Sequence, residues 1–352
     1  MLNIYAGQTA LNTIKEQGFK QELFTSFLGA SGGPKWFVLL GLDKAIFGDF
    51  FNTRTTPLNI IGSSAGAFRA ACLTQQNPVQ AIERLAKNYS ETIYSKTANA
   101  AEISAKAKLL LDDLFAEQGI EQIITNPLFK AHFLVAKSHG LVSFENKILQ
   151  AAGLAKSLLC NAISRKSLTS QYQRYIFQAP NSDLLLQDSY QFTTHRKELT
   201  QDNIKAALLA SGSIPMVMQG VKDIAGCENG MYRDGGIIDY HFDFKIKNKG
   251  LTLYPHFSST LKAGWFDKKL ARKVSADNYH KTVLLCPSER FIKSLPYQKI
   301  PDRNDFTTME AEQRIDYWRE VFKRSNLLAD EFLAFVEQQN IDKVCNISDL
   351  LS

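Results

Sequence analysis

Cysteine is sparse and dispersed in this chain. Cys72, Cys160, Cys227, Cys286 and Cys345 form no CxxC pair and no Cys/His cluster. That argues against a disulfide framework and a zinc site and fits a reducing compartment. Long apolar runs are also missing. The nearest candidate for a membrane span, "AALLASGSIPMVMQGV" at 206–221, is broken by Gly212, Pro215 and Gly220, whereas a spanning helix needs roughly 18 or more apolar residues. The opening "MLNIYAGQTALNTIKEQGFK" lacks the basic, apolar and small-residue regions of a secretory signal. A cytoplasmic location, with at most peripheral membrane contact, is the expectation. GxxxxGK[ST] and a well-formed GxGxxG are both absent, so a nucleotide-phosphate cradle is not expected. No EF-hand pattern, internal repeat or low-complexity segment occurs, and neither a metal nor a cofactor is called for. Neither sign of charge dominates: 41 Lys and Arg stand against 35 Asp and Glu, for a net charge of +6. That excess hints at an anionic partner surface but gives no reason to expect nucleic acid.

What is present suits an enzyme-sized α/β body. With 352 residues, 45% of them hydrophobic, the chain can bury one large core carrying an elaboration. "LFTSFLGA", residues 23–30, reads as a buried strand entering a glycine turn. The following "PKWFVLLGLDKAIFGDFF" reads as a helix with Pro34 suited to its first turn. "PLNIIGSSAGAFRAACLTQQ" repeats this grammar, with a strand at 58–61 and a helix opening near Ser64. Two strand-turn-helix units within about 50 residues suggest a parallel sheet with crossover helices, and such sheets place sites at the carboxyl ends of strands. Residues 77–170 read as a mostly helical insertion or cap. Strands are expected at "YQRYIFQ", "SYQFTTHRKELT", "MYRD", "GLTLYPHF" and "KTVLLCPS", a helix at "NIKAALLASGSIP", and amphipathic helices at about 308–340.

Three small-residue turns are candidates for chemistry. Gly62, Ser64 and Gly66 make the GxSxG spacing, a sharp strand-to-helix turn that exposes a serine hydroxyl. The helix beginning there offers free N–H groups to developing negative charge. "GASGGPKW" places Gly32 and Gly33 in a second such turn, where backbone N–H groups could form an oxyanion hole. "YRDGGIIDY" supplies Asp234, followed by Gly235 and Gly236, as a candidate base. Each turn alone is also compatible with an ordinary loop.

Together, and in this order, these blocks resemble the patatin-like phospholipases. "SGGPKW" looks like the family's glycine-rich oxyanion turn, with Lys35 at its basic position. "GSSAG" looks like the nucleophile elbow, and the DGG at 234–236 like the base segment. "LLASGSIP" resembles a fourth block, a helix end leading to proline. The resemblance covers residues 23 to about 290. It implies a single domain over 1–352 with a three-layer α/β/α fold, a mostly parallel central sheet and a helical insertion. It further implies a Ser64–Asp234 dyad acting on acyl esters of lipids through an acyl-serine, without histidine. Two departures stand out: Ser31 replaces the first glycine of the oxyanion turn, and bulky Trp36 replaces a small residue. An Asp is a feeble base in water, so the site must desolvate or orient Asp234, a task for which Phe242 and Phe244 are nearby candidates in sequence.

Alternatives remain open on the residues alone. His241, His256 and His280 follow Ser64 and Asp234 in the chain order of a Ser-Asp-His triad, and a lipid-binding protein without turnover would retain the same fold. Two stretches could meet an anionic membrane: residues 154–174, with Lys156, Arg165, Lys166 and Arg174, and residues 261–274, with Trp265 and Phe266 beside Lys268, Lys269 and Arg272.

Overall fold

β-branched and aromatic runs without polar alternation form the centre of the fold. In the computed structural model, which describes residues 1–351, β1 is Leu2–Ala6, β2 Phe24–Gly29, β3 Leu58–Ser63, β4 Phe129–Ser138 and β5 Tyr172–Gln178. β6 is Thr194–Glu198, β7 Met231–Asp234, β8 Leu251–Pro255, β9 Thr282–Pro287 and β10 Cys345–Asn346. With the short strand Val221–Lys222, they make an eleven-stranded sheet, nine of them in the order β10-β1-β9-β8-β2-β3-β4-β5-β6, with β7 on β4 and the short strand on β7 beside this path. The central strands β9, β8, β2, β3 and β4 are mutually parallel. Every residue of β3, β8 and β9 is buried, which requires cover on both faces and gives a three-layer α/β/α body.

β4 is the strand on which the site is assembled. On one edge it pairs with antiparallel β5. On the other edge, β3 runs parallel to its first half, ending at Ser63 opposite Leu134. Antiparallel β7 takes over the same edge and ends at Asp234 opposite Val135. Two strands thus meet head to head on adjacent positions of one partner.

The helices follow from their punctuation. α1, Gln8–Gln17, ends at Gly18 in a positive-φ conformation. A 3₁₀ segment Gly33–Leu39, with Pro34 in its first turn, leads into α2, Leu40–Ala45, and a π turn Ile46–Phe50, the helical run expected there. α3, Ala65–Leu73, starts directly after Ser64. α4, Pro78–Glu91, and α5, Ala100–Phe115, are capped by Asn77 and Asn99 side chains that accept backbone N–H groups. α6 is Gly119–Thr125, α7 Lys147–Ile163 and α8 Ile204–Ser211. A 28-residue helix, Ala311–Gln338, packs on α2 near the end of the chain.

Two sequence expectations change. The stretch 77–170 is mostly helical, as expected, but it is not set apart as an insertion, because the central strand β4 lies within it. Lys130, His132 and Lys137 break the strand pattern, yet His132 and Lys137 are buried, Lys137 reaching Glu228 at 2.7 Å. The sheet also extends beyond the 23–290 core, since β1 pairs antiparallel with β9 and β10 pairs with β1.

Candidate active site

Close packing of helix on sheet dictates the glycines of the elbow. A Cβ on Gly66 would sit 1.7 Å from Gly29 O, and one on Gly62 would sit 2.2 Å from Gly66 O. α3 therefore lies directly on the ends of β2 and β3, and only glycine permits the approach. Between the two glycines Ser64 adopts φ 53°, ψ −126°, a strained conformation for a residue with a side chain. Its backbone N–H donates to Ser211 Oγ at 3.0 Å, and Ser211 Oγ in turn donates to Leu134 O at 2.7 Å. The Ser-containing helix end at 207–213 thus braces the elbow against β4.

The strand meeting on β4 delivers Asp234 to Ser64. Ser64 Oγ donates to Asp234 Oδ2 at 2.7 Å, while the second carboxylate oxygen accepts the Gly236 N–H, also at 2.7 Å. Asp234 N–H donates to Ser213 O at 3.0 Å, so one short segment holds both partners. Burial pushes the Asp234 carboxyl up to about 6, against the opposing pull of the Ser64 and Gly236 hydrogen bonds and the Lys268 charge. An Asp in this position is a hydrogen-bonded acceptor poised near neutral pH.

Gly32 and Gly33 face the same centre. Both line the cavity that contains Ser64 and Asp234, and neither of their N–H groups donates a hydrogen bond among the described residues. Gly33 has φ 57°, and a Cβ on Gly32 would collide with the Phe257 ring at 2.7 Å. Gly235 packs its Cα face on Leu134 O, where a Cβ would approach to 2.1 Å.

Two cavities converge on Ser64. One, of about 280 Å³, is polar: Lys35, Lys268 and Arg303 join Asp234, Asp302 and Tyr240 in its wall. Lys268 Nζ sits 3.9 Å from the Tyr240 ring centre. Withdrawal from water among these walls brings its ammonium down to about 8, with Asp234 pulling the other way. The second cavity, of about 730 Å³, is mainly apolar and runs between α4, α5 and the loop before Ala311–Gln338, with Phe68, Leu85, Ile103, Leu110, Val217 and Phe306 in its lining. This volume is that of a small-molecule site with room for a flexible apolar ligand. Among the described residues, no cluster of three His, Cys, Asp or Glu side chains is arranged to hold a metal.

In the comparison with known proteins, a family model for patatin-like phospholipases matches residues 30–241, a span that includes the glycine-rich turn at Gly32 and Gly33, Ser64, the helix end at 207–213 and Asp234. The chain belongs to the patatin-like phospholipase family. Among solved structures, VipD from Legionella pneumophila is similar at 12% identity and TM-score 0.38, covering 88% of this chain and 67% of that one. No curated protein matches the chain.

Within this patatin-like protein the two departures acquire physical roles. Ser31 Oγ donates to Ser63 Oγ at 3.0 Å and approaches Ser63 O at 3.2 Å, while a Cβ at Gly236 would lie 2.6 Å from it. Ser31 therefore stitches the glycine-rich turn to β3 and fits against the glycine beside Asp234. Trp36 is buried against Phe37 and lines the apolar cavity, away from the polar one.

Other sequence candidates lie elsewhere. Phe242 and Phe244 pack against each other at a tilt, and Phe242 packs on Tyr254, whereas the apolar walls of the polar cavity come from Ile214, Ile237, Tyr240 and Trp265. None of the three downstream histidines hydrogen-bonds Ser64 or Asp234. His241 Nδ1 accepts the Lys262 N–H, His256 Nδ1 contacts Ser258, and His280 Nδ1 contacts Asp277 O. Burial drives His241 well below, and His256 to about 3, from the ordinary imidazole range. Of the two basic stretches, Arg165 and Arg174 are buried in ion pairs with Asp267 and Asp239. Arg272 also engages Asp267, and Phe266 is buried. Sequence reasoning missed Arg303, Asp302 and Asn304, which reach the cavity from a distant loop, and read Lys268 as a surface charge.

Proposed function

We propose that the protein is a serine acyl hydrolase that cleaves acyl ester bonds of lipids, with Ser64 as nucleophile and Asp234 as its base. The single observation that carries this reading is the 2.7 Å hydrogen bond from Ser64 Oγ to a buried Asp234 carboxylate at a strained strand-to-helix turn. Asp234 takes the Ser64 proton as Oγ attacks the ester carbonyl. The Gly32 and Gly33 N–H groups stabilise the oxyanion, and the proton passes to the departing alcohol. Water then releases the fatty acid from the acyl-serine by the same route in reverse. The apolar cavity suits the acyl chain, and the polar cavity suits the part of the substrate beyond the ester. Peripheral contact with an anionic lipid surface belongs to the same reading.

The test uses the full chain with a fluorophosphonate probe and a medium-chain p-nitrophenyl ester. Labelling and turnover are expected in the wild type, both lost in Ser64→Ala, with turnover lost in Asp234→Asn. A folded wild type that neither labels nor turns over, yet binds lipid, points instead to a non-catalytic binding protein.

A further inference from the structure

α7 is amphipathic with the wrong side out. Its buried residues are polar or small: Gln150, Gly153, Ser157 and Asn161. Its outward residues are aliphatic, with Ile148 80%, Leu158 50%, Leu159 68% and Ile163 87% exposed, separated by exposed alanines. At roughly 100° per residue these side chains fall on one arc. Lys147 and Lys156 stand at its two margins.

The buried side locks this orientation. Gln150 donates to Phe144 O at 2.8 Å and accepts the Met216 N–H at 2.7 Å. Ser157 Oγ lies 3.0 Å from the Tyr172 hydroxyl, and Asn161 donates to Asp267 at 2.9 Å while accepting from Arg272. Rolling the helix to bury its leucines would leave these buried polar groups unsatisfied. The aliphatic face is therefore held in solvent. Phe144, 49% exposed, extends it on the preceding turn.

Charge and position name the occupant. Residues 147–182 contain no Asp or Glu, while Lys147, Lys156 and Lys166 are exposed. Aliphatic side chains with Lys147 and Lys156 at their margins, and with the charge of Glu145 before the helix engaged by Arg233, complement a surface that is apolar inside and anionic outside, where lysine stems lie along the apolar layer and their ammonium groups reach headgroups. The polar side ties α7 to the catalytic region at both ends. Met216 follows Ile214 and Pro215 of the cavity wall, and Asp267 lies between the cavity residues Trp265 and Lys268.

We propose that the outward face of α7 docks the protein on an anionic lipid bilayer, seating Ile148, Leu158, Leu159 and Ile163 at the boundary of acyl chains and headgroups. This deepens the lipid hydrolase reading, on which it rests for the lipid character of the partner.

The experiment is vesicle co-sedimentation of the full chain carrying Ser64→Ala, so that vesicles are not consumed, on 1:1 phosphatidylglycerol–phosphatidylcholine and on phosphatidylcholine alone. Binding to the anionic vesicles is expected, weakened at least tenfold by Leu159→Glu with Ile163→Glu. Lys147→Glu with Lys156→Glu should abolish the preference for anionic vesicles. The same changes in the Ser64 background should leave p-nitrophenyl ester turnover within twofold, because none of these side chains lines either cavity at Ser64. Absence of vesicle binding, or binding indifferent to both pairs of changes, overturns the proposal. So does a wild-type dimer that Leu159→Glu with Ile163→Glu converts to monomer, since the face would then pack on a second copy. Vesicle binding that depends on α7 in a protein without esterase activity leaves the docking face standing and removes the hydrolase reading.

Discussion

Lys268 and Asp234 share the wall of one small cavity, and each shifts the titration of the other. The ammonium favours the carboxylate, and the carboxylate favours the ammonium, while burial opposes both charges. If Asp234 is the base, only its ionised form accepts the Ser64 proton. Log kcat/KM should then fall with decreasing pH below about 6, with a slope approaching one. Lys268→Met removes a charge that stabilises the carboxylate, so the acid limb should move to higher pH. A pH–rate profile with an uncharged ester reads this shift directly. An unmoved limb would mean that another group governs it.

Stability should respond to the same carboxyl in the opposite sense to activity. The folded pKa of about 6 lies above the unfolded value of about 3.9, so between these values the folded state binds more protons than the unfolded one. Stability contributed by this group is therefore fully present below about pH 4 and is lost as pH rises through 6. Asp234→Asn, which is neutral at every pH, should be more stable than wild type by about 3 kcal/mol at pH 8. The difference should shrink toward zero near pH 4. Urea unfolding at the two pH values measures it, and equal differences at both would exclude the charge as the cause.

Gly66→Ala puts a methyl group into the backbone of Gly29, with no flexible side chain to yield. Overpacking of this kind costs about 1–3 kcal/mol, and α3 must lift away from β2. Because Ser64 stands at the start of α3, fluorophosphonate labelling should slow by tenfold or more. Labelling at the wild-type rate would show that the elbow tolerates displacement of its helix.

Arg69 and Asp43 form a bidentate pair, at 2.6 and 2.8 Å, fully buried between α3 and α2. Arg69→Met strands the Asp43 carboxylate and should cost about 3–5 kcal/mol. Adding Asp43→Leu should recover much of that loss, because the stranded charge is then gone. A double-mutant cycle in urea settles the matter, and equal losses in the single and double variants would locate the cost in packing alone.

The parts of the fold and site that were legible in the sequence are those where local chemistry and tertiary role agree. The β-branched run within Leu58–Ser63, the glycines flanking Ser64 and the proline after Gly33 each favour the local conformation that their tertiary role requires. β4 was hidden because His132 and Lys137 break its pattern, and only the finished structure shows the partners that allow them inside. Ser211 gave no signal beyond its place in a helix end, since its hydrogen bonds run to residues 147 and 77 positions away. Arg303 and Lys268 were equally mute, because a single basic residue looks the same at a surface and in a cavity wall. The sidedness of α7 could not be read at all: its period is helical, but period does not reveal which arc faces inward.

The head-to-head meeting of β3 and β7 on β4 fixes the separation of Ser64 and Asp234 by one pleat of a third strand, although 170 residues of chain lie between them. The spacing is thus set by β4 and by the Ser211–Ser213 segment that holds both partners, not by the outer surface of the rest of the chain between Ser138 and Met231. The exposed side chains of α7 and of the edge strand β6 can change without altering the hydrogen bond. Where this protein goes and what it touches are, in that sense, separable from its chemistry.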